Sequence, residues 1–467
     1  MKNLPLKVII EKIGGRIVQG MDNLIINGLV TRTARLAPGV LLFDLYREEN
    51  LNPNISHNKC SCAIVTDNPV KFSGFPENVT IIRTPNINAA CWKFVEFYRS
   101  LFNIPVIGVT GTCGKTTTKE MIKHILSGKY KVNATYKSYN ASFRNLGYLL
   151  DVDDETEMAV YEMGVAASGD LKTSCMFFKP RVGVITNIGI DHLQAFGTLE
   201  AYIRAKAEII EGLDFKGILI LNADDENIQK IDLQKYKGDT IYFGAGTKSH
   251  FKISSISHIK ARMRFSMRYR EKNYDLLIPG YGEFNVYNAA AAIAAAHAVG
   301  FDIDEAGARL ASFQNVEKHF EFNEGINGST IIDDTWSTNP TSTEAALKLL
   351  KYHSKGKKTI AALGKMSLLG EQSNKFHYKI GEKVAEIGID HLIAIGEGAV
   401  EIGLGALQKG MKQDKVYFCK DSDETYDVLV KTLDENSIAL VKTSMMASYT
   451  DLMEKILVKR LRTVPNL

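Results

Sequence analysis

The chain lacks any cysteine arrangement that would hold a metal. Its six cysteines (Cys60, Cys62, Cys91, Cys113, Cys175 and Cys419) are scattered, with no CxxC pair and no histidines at matching spacing. A zinc site is therefore not expected, and reduced thiols of a cytoplasmic protein are. No apolar run approaches the length of a membrane span. The opening MKNLPLKVIIEKIGG is interrupted by Lys7, Glu11 and Lys12, so it does not read as a signal peptide. Charge of one sign is also lacking. With 57 basic and 53 acidic side chains the net charge is only +4, which gives no reason to expect a nucleic-acid partner. What remains is ordinary for a soluble globular protein, 45% hydrophobic and 24% charged over 467 residues. That length suggests about three domains, each with area for its own core.

The most informative stretch is IPVIGVTGTCGKTTTKEMIKHIL, Ile104 to Leu126. Ile104 to Val109 is a short apolar run of the kind that forms a buried parallel strand. The chain then breaks at Gly108, Gly111 and Gly114 and resumes as a helix with Met121, Ile122, Ile125 and Leu126 on one face. Strand, glycine loop and helix N-terminus together make a cradle for phosphate, with converging backbone N–H groups and a favourable helix dipole. Lys115 is expected to reach the β- and γ-phosphates, and the Thr116 hydroxyl to sit on Mg²⁺. Val109 stands where the first glycine of a regular GxxxxGK[ST] motif would be. Cys113 lies in this loop, and two readings stay open: a thiol made reactive by the helix dipole, or a buried inert one.

GTxGKTTT, followed by KEMI, resembles the Mur ligases and within them the MurF branch, which adds D-Ala-D-Ala to a UDP-muramoyl tripeptide. The resemblance runs over essentially the whole chain. It implies an α/β fold in three domains: a small α/β substrate domain over 1–103, a central ATP-binding domain with a parallel sheet over 104–313, and a Rossmann-like domain over 314–467. In the loop it implies ATP contacts from Gly111, Thr112, Gly114, Lys115, Thr116 and Thr117.

MAVYEMG, Met158 to Gly164, reads as a buried strand ending in a carboxylate, and a glutamate at that end beside a phosphate loop is placed to bind Mg²⁺. The family's EMG motif matches it, which implies Glu162 as a metal ligand. VGVITNIGIDHLQAFGTLEAYIRAKAEII is the longest close match. It implies Asn187 near the adenine and His192 at a second metal site. Taken alone, Lys206 in IRAKAEII is a solvated helix lysine. The resemblance instead implies that it points inward and is carbamylated, its carbamate binding the second Mg²⁺. GILILNADDE, Gly217 to Glu226, reads as a strand entering a structural turn. Ile259 to Tyr269 and YDLLI form an antiparallel hairpin with one solvated basic face. In PGYGEFNVYNAAAAIAAAHAVG, Asn285 and Asn288 match ATP-contacting amides, and Phe284 replaces the usual histidine.

From about Gln314 the strands TIIDD, KTIAAL, HLIAI, KVYF and SIALV alternate with helical patterns, which predicts a parallel doubly wound sheet. No GxGxxG follows the first, so a dinucleotide role is weak. IIDDTWSTNPTSTEAAL resembles the family's DDxYNANPxSxxAAL, implying Asp334 as a ribose or substrate contact. His319 stands where a nucleotide-binding arginine is expected. GKMSLLGEQSNKFH keeps His377 but carries Lys365 and Leu368 in place of Asp and Glu. VKTSMMAS keeps Lys442 but has Thr443 and Met445 where the family has the glycine and arginine of KGSR. In the first domain, Arg32, Thr33 and Ala34 replace Asp-Ser-Arg before Pro38 and Gly39, and REENLNPNISHNK replaces a glycine- and histidine-containing segment.

The expectation is an ATP- and Mg²⁺-dependent carboxylate–amine ligase working through an acyl phosphate, with Lys115, His192 and Lys206 in catalysis. Its substrates are small molecules, it acts in the cytoplasm as a monomer, and its acceptor need not be the cell-wall precursor. Three alternatives stand beside this: genuine MurF activity, ATP-driven ring closure on a cofactor precursor, and a non-catalytic ATP-binding scaffold.

Overall fold

Strand and helix positions follow the hydrophobic pattern closely. The computed structural model describes residues 1–46, 61–445 and 449–459, so REENLNPNISHNK, Cys60 and Ser448 lie outside the described residues. The chain divides into two compact units. One comprises Met1–Val106, Lys129–Tyr161 and Lys172–Pro180, and the other Ile107–Gly128, Glu162–Leu171 and Arg181–Leu467.

The first unit begins with the helix Leu6–Ile13, which buries Leu6, Ile9 and Ile13 and stops at Gly14 in the left-handed region, φ 71°. Its sheet runs in the order Arg16–Gln19, Val79–Arg83, Cys62–Thr66, Val40–Phe43, Gly28–Val30. The first pairing is antiparallel and the rest are parallel. Helix Ile87–Ser100 covers it with Phe94, Val95 and Tyr98.

In the second unit Val106–Thr110 pairs in parallel with Val182–Ile185, which pairs with Ile218–Asn222, and that with Asp239–Gly244. All five residues of Val106–Thr110 are buried, as a strand covered on both faces requires. Beyond Asp239–Gly244 the sheet continues through Phe251–Ile259 into the antiparallel strands Arg262–Tyr269 and Lys272–Pro279. Helix Glu283–Ala298 carries a run of buried alanines whose small side chains let it pack closely. Its contacts include the helix Lys115–Leu126 and the strands Ile218–Asn222 and Asp239–Gly244.

The last sheet has the order Val416–Cys419, His391–Ile395, Lys358–Gly364, Ser437–Lys442, Thr330–Asp334, Glu321–Gly325, Leu457–Lys459. The first five are parallel and each is followed by a helix, the doubly wound arrangement expected from the alternation. Two antiparallel strands close one edge.

Candidate active site

The phosphate loop follows Val106–Thr110 and opens the helix Lys115–Leu126. Glycine is required at two of its positions. At Gly111, φ 146°, a Cβ would lie 2.0 Å from Thr186 Oγ1; at Gly114, φ 78°, it would lie 2.3 Å from Asn288 Oδ1. The loop is pinned from several elements. The Asn187 carboxamide accepts from Cys113 N at 2.9 Å and donates to Cys113 O at 3.0 Å, and the Thr186 hydroxyl donates to the same carbonyl at 2.7 Å. Thr112 N donates to Asn187 O at 2.9 Å, and the Thr112 hydroxyl accepts from Gly189 N at 2.9 Å. Lys115 Nζ donates to Thr112 O at 2.8 Å, folding its charge over the loop. Thr117 is half-buried on the first turn of the helix.

The Glu162 carboxylate, 2% exposed, accepts from the Thr116 hydroxyl at 2.9 Å. A hydroxyl and a carboxylate beside a phosphate cradle suit Mg²⁺, which takes one or two protein oxygens and completes its shell with phosphate and water. Among the described residues no three His, Cys, Asp or Glu side chains converge as an all-protein metal cage. The donor set therefore fits a metal held jointly with a phosphate ligand.

Lys206 lies on the helix Leu199–Gly212, started by the Thr198 hydroxyl accepting from Ala201 N. Its side chain points inward and is 1% exposed, whereas Arg204 on the same helix is exposed. Nζ donates to the Thr110 hydroxyl at 3.4 Å and stands 5.0 Å from the Tyr202 ring centre. Burial first, and the Lys115 cation second, hold Lys206 well below the ordinary lysine range, against the raising effect of Asp191, Glu162 and Cys113. His192 adopts a left-handed conformation, φ 53°, and stacks at 6.1 Å on the same Tyr202 ring. Burial lowers its pKa, Asp191 raises it, and Lys206 and Lys115 lower it further. Lys115, Glu162, His192, Lys206 and Asp191 thus form one electrostatically coupled group.

For Cys113 burial pushes the thiol pKa up by more than Lys115 draws it down, which favours the inert reading. Its sulfur sits 3.6 Å from Asn339 Oδ1.

Asn285 and Asn288 share one face of the helix Glu283–Ala298. Asn288 Oδ1 accepts from the Thr118 hydroxyl at 3.3 Å, and Asn285 Nδ2 donates to Tyr281 O at 2.9 Å. Asp334 pairs with Lys442, Nζ to Oδ2 2.7 Å, because parallel register sets the two side by side. Lys442 also donates to Ser337 O at 2.9 Å, and its charge is felt at Cys113. The His319 ring stacks on Trp336 at 6.1 Å and its Nδ1 contacts Glu317 O at 2.7 Å. His377 is fully buried. Nδ1 donates to Ser373 O at 2.8 Å and Nε2 accepts from Met366 N at 2.8 Å, so it orders the loop after Lys358–Gly364 as one neutral tautomer. Leu368 takes φ 65° in that loop, and its carbonyl accepts from Gln194 N at 2.9 Å, next to the His192 segment.

Several residues of this constellation carry no motif of their own. Asp225 accepts from Ile188 N, Asn227 N and Ile228 N, and Asn227 donates to Ile188 O at 2.7 Å. The turn after the strand Ile218–Asn222 therefore clamps the Asn187 loop. Asp224 accepts from Ala245 N, Gly246 N and the Tyr287 hydroxyl. Asn339 caps the helix Pro340–Ser354 in a capping box with Ser342 and extends Nδ2 to Asp191 Oδ2 at 3.4 Å.

The Mur ligase middle domain model matches residues 109–296, and the Mur ligase glutamate ligase domain model matches 320–445. The UDP-N-acetylmuramoyl-tripeptide–D-alanyl-D-alanine ligase of Bacillus subtilis is 31% identical over 369 residues, 79% of each chain. The Synechocystis enzyme of the same name is 27% identical over 91% of this chain and 90% of that one. The fold is that of MurF from Acinetobacter baumannii, TM-score 0.85 at 24% identity over 97% of this chain and 98% of that one. It is also that of MurF from Thermotoga maritima in complex with ADP, TM-score 0.76 at 23% identity over 91% and 96%. The chain belongs to the Mur ligase family, ATP-dependent enzymes that form amide bonds, and is MurF-like within it.

Proposed function

We propose that the protein joins D-alanyl-D-alanine to a UDP-N-acetylmuramoyl-tripeptide at the expense of ATP, in the cytoplasm. The observation that carries this reading is the match to the Bacillus subtilis ligase of that name over 79% of both chains, with the loop, Glu162 and Lys206 in place. The relatives weigh against the expectation of a different acceptor, and the cell-wall reaction takes first place.

Free carboxylate and amine do not condense readily, because hydroxide is a poor leaving group. Transfer of the γ-phosphoryl of ATP to the tripeptide carboxylate makes an acyl phosphate. The amine then attacks the acyl carbon, phosphate leaves with the bond electrons, and the amine loses a proton. Lys115 serves as a point charge on the transferring phosphoryl group. The loop N–H groups from Gly111 to Thr117 hold the other phosphates, with Asn187, Asn285, Asn288, His319 and Asp334 as the remaining nucleotide contacts. Thr116 and Glu162 are the residues to hold Mg²⁺, which when bound neutralises phosphate charge. His192 and Lys206 belong to a second such site, Lys206 as its carbamate. The neutral amine is the form that attacks the carbon of CO₂, and burial of Lys206 favours that form. Domains over 1–103, 104–313 and 314–467 follow from the same reading. The Glu162–Thr116 contact and the inward Lys206 speak against a scaffold that has lost its chemistry.

The test is purified protein with ATP, UDP-N-acetylmuramoyl-tripeptide and D-alanyl-D-alanine, scored for ADP release and amide product. Product formation dependent on both acceptor and donor is expected. A second reading rests on Met445, 56% exposed where the family motif has an arginine, with its N–H donating to Trp336 O at 3.1 Å. A thioether cannot fork a terminal carboxylate as a guanidinium does. ATP consumption with the tripeptide and a carboxyl-blocked amine, but none with D-alanyl-D-alanine, would replace the first reading with this one.

A further inference from the structure

The antiparallel extension of the second unit's sheet carries a feature that the ligase reaction does not use. Where Asp239–Gly244, Phe251–Ile259 and Arg262–Tyr269 lie side by side, a cavity of about 370 Å³ is walled by Arg268, Arg270, His250, Ser249, Thr240 and Tyr269. That volume suits a small ligand. Nearly everything polar on its wall can donate a hydrogen bond, and no carboxylate lines it. Tyr242 N donates to His250 Nδ1 at 2.9 Å, which leaves the ring proton on Nε2. The Ser249 hydroxyl oxygen is buried behind this wall and has no partner among the described residues. Arg270 takes φ 53° at the turn, over the Tyr269 ring at 5.3 Å.

The strand register makes the charge costly. Arg268 stands directly opposite Lys252 on one side and Asn273 on the other. Like charges facing across a strand pair repel. No carboxylate pairs with Lys252, Arg268 or Arg270 among the described residues. The acid on that face, Asp275, lies opposite Ser266 and bonds to it at 2.6 Å. Two guanidinium groups without a carboxylate partner and an imidazole N–H around one cavity match the oxygens of a phosphate, which guanidinium binds in a fork.

We infer that this cavity is a binding site for a phosphate-bearing small molecule, separate from the phosphate loop. Phe251–Ile259 is four strands away from Val106–Thr110 in the sheet order, on the order of 20 Å at the usual strand spacing. One ligand cannot occupy both places.

The test is calorimetric titration of the full chain with inorganic pyrophosphate in a Lys115→Ala background, which removes the loop's point charge. One saturable site should remain. Adding Arg268→Ala and Arg270→Ala should weaken it at least about tenfold, whereas Arg262→Ala with Arg264→Ala, exposed on the same strand outside the cavity, should leave it unchanged. In otherwise wild-type protein, Arg268→Ala with Arg270→Ala should keep ATP turnover and leave the thermal midpoint no lower, since Lys252 loses the like charge facing it. Should that pair lower the midpoint, Arg270→Gln alone on the exposed turn must still weaken pyrophosphate binding. The inference is overturned if Lys115→Ala protein shows no saturable binding, or binding indifferent to Arg268 and Arg270. It is equally overturned if removing Arg262 and Arg264 weakens binding as much, since the effect would then be general surface charge.

Discussion

A lysine on a helix is usually a solvated charge, and Lys206 shows how far burial can move it from that. Enclosed at 1% exposure beside Lys115, its ammonium is disfavoured twice, by desolvation and by a like charge. The neutral amine that this favours is the form that takes up CO₂, and a carbamate there would turn a repulsive cation into an oxygen donor suited to a hard metal. Lys206→Ala should lose activity by at least about a hundredfold, the scale of removing one transition-state partner, and acetate should restore part of it. Lys206→Arg should fail, because a guanidinium stays charged. Full turnover by the arginine variant would make this lysine a packing residue only. Lys115 differs in kind: it is half-buried, and its ammonium bonds to a loop carbonyl. Its replacement by alanine should abolish ATP turnover while leaving circular dichroism and the thermal midpoint unchanged. Cys113 should alkylate slowly whether or not Mg-ATP is present, because burial raises the pKa of the thiol. Rapid labelling that Mg-ATP suppresses would restore the activated-thiol reading.

At the scale of elements, what was legible was what is local. The strand–glycine–helix of the phosphate loop, the buried strand ending in Glu162 and the alternating strands after Gln314 announce themselves by periodicity within a dozen residues. The helix of Lys206 was equally legible, and Tyr202, Ile203, Ile209 and Ile210 mark its buried face, but the direction of the lysine came from the family resemblance because a lysine on a helix reads by default as solvated. What escaped is what distance assembles. Asn339 reaches Cys113 across 226 positions, and Asp225 clamps Ile188 across 37. An acidic pair after a strand reads as a turn, and it is one; nothing in its pattern names the loop it ties down. The glycine loop itself gives a sharp expectation. Gly114→Ala must hold φ 78° and place a methyl group 2.3 Å from Asn288 Oδ1. It should cut ATP turnover at least about tenfold with a stability loss of about 1 kcal/mol or more. Combining it with Asn288→Ala should relieve the overlap and recover thermal stability in part, although the strained φ remains. A double variant no more stable than Gly114→Ala would show that the overlap is not the cause.

Over the whole molecule, polar groups placed inside apolar surroundings tie stability to solution conditions. His353, near the end of the helix Pro340–Ser354, is ringed by aromatic side chains: Tyr281 at 4.9 Å, Tyr352 at 5.0 Å, His258 at 5.1 Å and Phe322 at 5.4 Å between ring centres. It joins the strand Phe251–Ile259, which carries His258, to the core under the last sheet. Burial pushes its pKa down to about 4, with His258 and Lys355 adding to the same effect. Its Nε2 and the Nδ1 of His258 are buried without partners among the described residues. An unfolded histidine takes up its proton near pH 6.5, whereas this one in the folded chain does not until about 4. Between those values the unfolded state binds more protons than the folded one, so stability falls as pH falls. The contribution is fully present above about pH 6.5 and is lost on descending toward the folded value. Because the ring keeps some solvent contact, the loss should be on the order of 1 kcal/mol, well below a full conversion of the shift. His353→Phe keeps a ring in the same aromatic surroundings and removes the titration. Thermal midpoints measured from pH 7.5 down to about pH 4.5 should therefore fall less steeply in the variant than in the parent chain. Parallel profiles would place the acid sensitivity elsewhere than at His353.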